Sequence, residues 1–178
     1  GTVYSDAGIT PMGAPTCDGV TSVVRVKVAG QGNYSAPCSN VNGTYTVSGV
    51  TFTGDTVMTV YLDTNGGTQA ALVTKSASAD LTGINLYQHR VILRHEDVTT
   101  MSIADMKAYD KTNDSDIPFT ASTSSSPFTL VTEPETELWV WTGKTFVPNG
   151  NITLNSGGSG QNYDGTLLID SSAVFTAQ

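Results

Sequence analysis

Asp110-Lys111-Thr112-Asn113-Asp114-Ser115-Asp116 crowds oxygen-bearing side chains into one short stretch. Hard cations such as calcium take oxygen ligands, which makes Asp110, Asn113, Asp114 and Asp116 the candidate calcium ligands. The spacing is not that of an EF-hand loop, which alternates its acids and places Gly at the sixth position. The competing and commoner outcome for such a segment is a solvated loop of Asx-turns. Asp6, Asp55 and Asp63 join a cation site only if the fold carries them there.

His89 and His95 alternate with Val91 and Leu93 and fall on one face of an extended segment. Six residues of strand span roughly 20 Å, too far for both imidazoles to bind one ion. His95 with Glu96 and Asp97 resembles a catalytic cluster in composition, yet no Gly-x-Ser-x-Gly elbow and no nucleophile with a placed base accompanies it. No catalytic residue is assigned, and the chain is not expected to be an enzyme. Cys17 and Cys38 are the only cysteines and lack Cys-x-x-Cys spacing, so a disulfide is expected rather than a metal site.

The third group is aromatic. In Glu137-Leu138-Trp139-Val140-Trp141, Leu138 and Val140 lie on one face of a strand and Trp139 and Trp141 on the other, so both faces are large and apolar. Such a strand is central in a sandwich or covered by a partner. Trp139, Trp141, Phe146, Leu167, Ile169 and Phe175 are therefore the candidate interface residues, with core packing as the rival reading. Trp139, Trp141, Phe146 and Tyr163 are also the kind of ring set on which sugars stack.

These residues need strands to hold them, and the chain is rich in strand signals. Val20, Ser22, Val24, Val26 and Val28 alternate with Thr21, Val23, Arg25 and Lys27. Further strands are expected over 44–50, 56–62 and 69–74, with an Asn65-Gly66-Gly67 hairpin turn between the last two. After a Ser/Ala-rich connector at 75–80, residues 84–95 are β-like. One short helix is expected near residues 100–109, with Thr99, Thr100 or Ser102 as N-cap, Asp105 in the first turn, and Ile103, Met106 and Tyr109 at helical spacing. The Ser/Thr-rich run 121–127 reads as a loop. The tail offers short strands at 144–147, 151–155, 166–170 and 173–177, and their edges, like that of Val3 and Tyr4, are available for a neighbour's sheet.

The fold expected is thus all-β, a disulfide-bearing antiparallel sandwich over residues 1–75 followed by a second strand-rich region over 76–178. Sixteen acidic against eight basic residues give a net charge of −8, which repels nucleic acid and anionic membranes. Only 13% of residues are charged while Ser, Thr, Asn and Gly abound, a composition of extracellular β-proteins rather than of cytosolic helical enzymes. No stretch approaches the roughly 20 apolar residues of a membrane-spanning helix. The chain opens on Gly1 rather than Met, so a processed or excised form is expected. Sequons stand at Asn33, Asn42, Asn113 and Asn151, a pattern that Ser/Thr-rich chains also produce by chance.

The opening Gly1-Thr2-Val3-Tyr4-Ser5-Asp6-Ala7-Gly8-Ile9-Thr10-Pro11-Met12-Gly13-Ala14, the Asn42-Gly43-Thr44-Tyr45 turn and the Gly54-Asp55 turn resemble prealbumin-like domains of the carboxypeptidase-regulatory and Cna-B type. Leu86-Tyr87-Gln88-His89-Arg90-Val91-Ile92, Asp116-Ile117-Pro118-Phe119-Thr120 and the segment from Leu138 to Phe146 are similar to repeat units of very large bacterial surface proteins. The resemblance implies an immunoglobulin- or prealbumin-like sandwich at the cell surface, used in rows. Lys27 sits where isopeptide-forming members carry their reactive lysine, but no acceptor Asn with a catalytic Glu can be matched, so no cross-link is expected. The functional expectation is a structural or adhesive extracellular module, a homopolymer of copies or neighbouring modules, with a carbohydrate-binding module as the alternative.

Overall fold

The computed structural model describes residues 1–51, 54–65, 67–77, 80–96, 100–158 and 160–177. Asp97 and Thr99, Gly66 of the expected hairpin turn, and Ser78 and Ala79 of the connector lie outside these. The first elements are β1 (Val3–Tyr4), β2 (Val24–Val28), β3 (Asn33–Ala36), β4 (Thr56–Leu62), β5 (Ala71–Ser76), β6 (Leu86–Tyr87) and β7 (Arg90–Leu93). Then follow α1 (Ile103–Met106), β8 (Phe119–Ser122), β9 (Phe128–Thr132), β10 (Glu137–Val140), β11 (Thr145–Phe146), β12 (Gly150–Thr153), β13 (Leu167–Ile169) and β14 (Val174–Phe175). The fold is all-β, as expected.

Seven strands form the central sheet in the order β13-β10-β7-β5-β4-β2-β3. From β3 to β5 the pairing is antiparallel, as expected of the first 75 residues, with β2 between β3 and β4. From β5 onward it is parallel: Leu72 lies opposite Ile92, Ile92 opposite Trp139, and Trp139 opposite Leu168. A boundary after residue 75 would cut this sheet between β5 and β7. Parallel strands are normally covered on both faces, and the paired stretches Ala71–Val73, Val91–Leu93 and Leu138–Val140 are unbroken apolar runs for that reason.

Alternate residues of the sheet feed two cores. Val24, Val26, Val60, Leu72, Ile92 and Trp139 face one, with the Cys17–Cys38 disulfide, Val3 and Leu86. Tyr61, Val73, Val91, Leu93, Leu138 and Val140 face the other, with Met101, Ile103, Met106, Phe119, Leu130 and Phe146. Each fully buried aliphatic contributes about 1.5–3 kcal/mol over the exposed state. Both cores draw on residues before and after position 75.

The elements depart locally from their sequence signals. β2 begins at Val24, because Asp18 accepts hydrogen bonds from the Val20 and Thr21 N–H groups and turns the chain there, leaving Val20 exposed. The segment 44–50 forms no strand: Thr44 makes one isolated bridge to Thr2, and Tyr45, Val47 and Val50 pack against the first core instead. The helix is one turn: a capping box between Ser102 and Asp105 starts it, and Lys107 caps its C-terminus. Residues 121 and 122 belong to β8 rather than to a loop.

Candidate functional site

Three apolar columns run across the parallel half of the central sheet. They are Ala71–Val91–Leu138–Leu167, Leu72–Ile92–Trp139–Leu168 and Val73–Leu93–Val140–Ile169. In each, the residues from β5, β7 and β10 are buried. At β13 the burial ends: Leu168 is 38% and Ile169 46% exposed. β13 is the last strand of the sheet, with no strand on its outer side among the described residues. β14 continues the same layer, pairing in parallel with β11, and its Val174 is 48% exposed. Half of the exposed large apolar side chains among the described residues thus lie on these two strands, the other three being the scattered Ile9, Val20 and Val41.

This last layer is a copy of the one before it. Leu138 opposes Leu167 and Thr145 opposes Val174, an interval of 29 residues in both pairs. Aligned at that interval, Leu138, Val140, Thr142, Thr145 and Phe146 meet Leu167, Ile169, Ser171, Val174 and Phe175. The turns match as well: Gly143 has φ 68° and Ser172, its counterpart, φ 59°. The Leu-x-Ile/Val-…-Phe repeat was present in the sequence, and reading the tail strand by strand overlooks it.

The six expected interface residues divide accordingly. Phe146 is fully buried in the chain's own core and Trp139 nearly so, which corrects their assignment to an intermolecular contact: register forces both side chains inward. Leu167 and Phe175 are half-buried against the second core, with the Phe175 ring 5.9 Å from that of Phe146. Trp141 is half-buried, and Ile169 is exposed. Val3 and Tyr4 do not form an open edge. β1 pairs with β6 on one side, while on the other Val3 donates to the Gly43 carbonyl and accepts from the Met12 N–H.

A band of rings crosses the first core face. Tyr4 stacks on Tyr87 at 5.1 Å, and Tyr87 meets Trp139 at 5.3 Å and Trp141 at 5.9 Å. Arg90 continues the band, 5.9 Å from the Trp139 ring and 5.8 Å from that of Tyr163, which lies flat on His89 at 4.4 Å. Tyr4, Trp141 and Tyr163 keep part of their surface in solvent.

The acidic segment is a hydrogen-bonded junction. Asp110 is fully buried and accepts from the Ala121 N–H at 2.8 Å, the Thr112 N–H at 3.0 Å and Lys107 Nζ at 3.3 Å. Asn113 Oδ1 accepts from the Asp110 N–H, Asp114 from Tyr61 Oη at 2.6 Å, and Asp116 from the Thr64 and Asn65 N–H groups. Burial, together with Asp114, pushes the Tyr61 phenol well above its ordinary value. Each of the three carboxylates is thus held by its own donors. No group of three His, Cys, Asp or Glu side chains that could hold a metal ion occurs among the described residues.

The histidines are apart in a different way from that expected. His89 sits at φ 62° in the turn before β7, and burial lowers its imidazole below the usual range. His95 lies beyond β7, its Nε2 accepting from the Thr145 N–H at 3.1 Å. Lys27 Nζ lies 5.1 Å from the Tyr109 ring centre. All four sequon asparagines are exposed. A cavity of about 310 Å³ opens between β2, β4, β5 and the 45–50 and 81–84 segments, and its walls hold no carboxylate, imidazole or thiol. No helix among the described residues is long and apolar enough to cross a membrane. Comparison of the chain with protein-family models, curated proteins and solved structures finds no match in any of the three.

Proposed function

We propose that the chain is a non-catalytic structural or adhesive β-protein that works by assembly, as a module or polymerising subunit of an extracellular filament or surface layer. The observation that carries this reading is the bare apolar edge of β13 and β14, where buried columns end in half-exposed Leu168 and Ile169 and β14 leaves Val174 half-exposed beside them. Monomeric proteins normally blunt such an edge with Lys, Pro or a covering segment, and Leu-Leu-Ile and Val-Phe contain none of the first two. The disulfide fits an oxidising compartment. The resemblance of the opening segment to prealbumin-like modules supports a place on a bacterial cell surface. Negative-stain images of the native material test it: ordered fibres or sheets are expected, and only single particles at high concentration overturn it.

The band Tyr4, Tyr87 and Trp141 favours a second reading, a carbohydrate-binding module. Glycan titration should then quench tryptophan fluorescence, and flat titrations remove it.

A further inference from the structure

We infer that the β13 edge is a self-association surface whose occupant is β13 of a second copy of this chain, paired antiparallel about a two-fold axis at Leu168. This rests on the assembly reading above and specifies its first contact.

Backbone geometry sets the register. Leu138 donates to the Thr166 carbonyl and the Asp170 N–H to the Val140 carbonyl, so alternate groups of this segment are used by β10. The N–H and C=O groups of Leu167 and Ile169 therefore point away from β10. An antiparallel partner centred on Leu168 meets those groups: Leu167 exchanges both hydrogen bonds with the partner's Ile169, and Ile169 with the partner's Leu167. Leu168 then faces the partner's Leu168 as a non-hydrogen-bonded pair, the closer of the two pair types.

Side chains agree with this pairing. Each truncated column is extended by an aliphatic residue, Leu167 by Ile, Leu168 by Leu and Ile169 by Leu, so the interrupted burial continues through the axis. Asp170 falls opposite the partner's Thr166, and no like charges meet. The other edge of the sheet fits less well. β3 reads Asn-Tyr-Ser-Ala with Asn33 and Ser35 exposed, and would set amide and hydroxyl groups against Leu167 and Ile169. A self-complementary patch on one copy gives a closed two-fold contact.

Cysteine capture tests the geometry. Leu168→Cys places two thiols at a non-hydrogen-bonded antiparallel pair, with Cα atoms about 4.5 Å apart and within disulfide reach. Oxidation of this variant should give mostly covalent dimer, at least about tenfold more than Val41→Cys, whose site is 86% exposed and remote from the edge. Ile169→Lys, a substitution on a half-exposed side chain that leaves the core intact, should shift the wild-type sedimentation profile from dimer to monomer. Two results overturn the inference: capture no greater than the Val41→Cys control, or preferential capture between Leu168→Cys and Ser35→Cys copies, which marks a head-to-tail contact. Captured dimers without fibres leave this contact standing and remove the polymer reading. Fibres that survive Ile169→Lys do the reverse.

Discussion

Arg90 donates through Nε to Glu137 Oε1 at 2.8 Å across neighbouring parallel strands, with both side chains about nine-tenths buried. The pair joins three strands, since Thr166, next to β13, also donates to Glu137 Oε2. A second Arg90 nitrogen donates to the Gln88 carbonyl. Removing one member leaves the other charge buried without its partner, which costs about 3–5 kcal/mol. Glu137→Leu should therefore lower the denaturant midpoint strongly. The double change Arg90→Met with Glu137→Leu should recover most of that loss, because an apolar pair of similar volume carries no desolvation penalty. Equal losses in the single and double variants would remove the pair as a stability determinant.

The paired turns of the 29-residue repeat predict opposite responses. Ser172 holds φ 59°, where an L-residue is strained, while Gly143 occupies the equivalent turn without strain. Ser172→Gly should raise stability by up to about 1 kcal/mol, and Gly143→Ala should lower it by about the same. A Cβ at Gly143 meets nothing within 4 Å, so its cost is conformational alone. Urea unfolding of both variants measures this directly.

His89 should make stability fall in mild acid. Burial lowers its imidazole below the ordinary 6.5, with Arg90 acting in the same direction and Glu135 opposing. The unfolded chain thus binds the proton at higher pH than the folded chain. The His89 contribution is complete above about 6.5 and is lost as pH falls below it, down through the lower value of the folded state. Gln88 Nε2 lies 3.0 Å from His89 Nε2, which accepts from that amide only when neutral. His89→Asn keeps a residue tolerant of positive φ and should flatten this part of the stability–pH curve. A curve of unchanged shape would refute the assignment.

Much of this architecture was legible in local pattern. Alternation at Val24, Val26 and Val28, the two-faced apolar run at Leu138–Val140 and the Ser102/Asp105 capping box all report short-range constraints. Strand direction was not legible, because β5, β7, β10 and β13 are brought together by long connections whose return path no local residue type encodes. The same gap misplaced Trp139 and Phe146. An apolar ring reads alike in a core and an interface until its neighbouring strand is known.

The Cys17–Cys38 bridge ties the 11–23 segment to the end of β3 over a separation of 21 residues. Both sulfurs are fully buried in the first core. A loop of this length stabilises by about 3 kcal/mol in the chain-entropy view. Replacing both cysteines with Ala should lower the Tm by roughly 6–12 °C at 2–4 °C per kcal/mol for a domain of this size. A calorimetric change of a degree or two would mean that the loop is held by its other contacts, such as the Gly19 N–H to the Cys38 carbonyl.

The acidic segment yields the remaining prediction. Asp110, Asp114 and Asp116 each accept from donors on other parts of the chain, Ala121, Tyr61 and Thr64 among them, so protein hydrogen bonds already order this loop. Calcium would have to displace these donors to gain the carboxylate oxygens. EDTA and added calcium should therefore both leave the Tm unchanged. Tyr61→Phe should lower stability by about 1–2 kcal/mol through the lost charge-assisted bond to Asp114. A rise in Tm on adding calcium would show that the carboxylates reorganise around the ion, and the hydrogen-bonded junction would then describe only the cation-free arrangement.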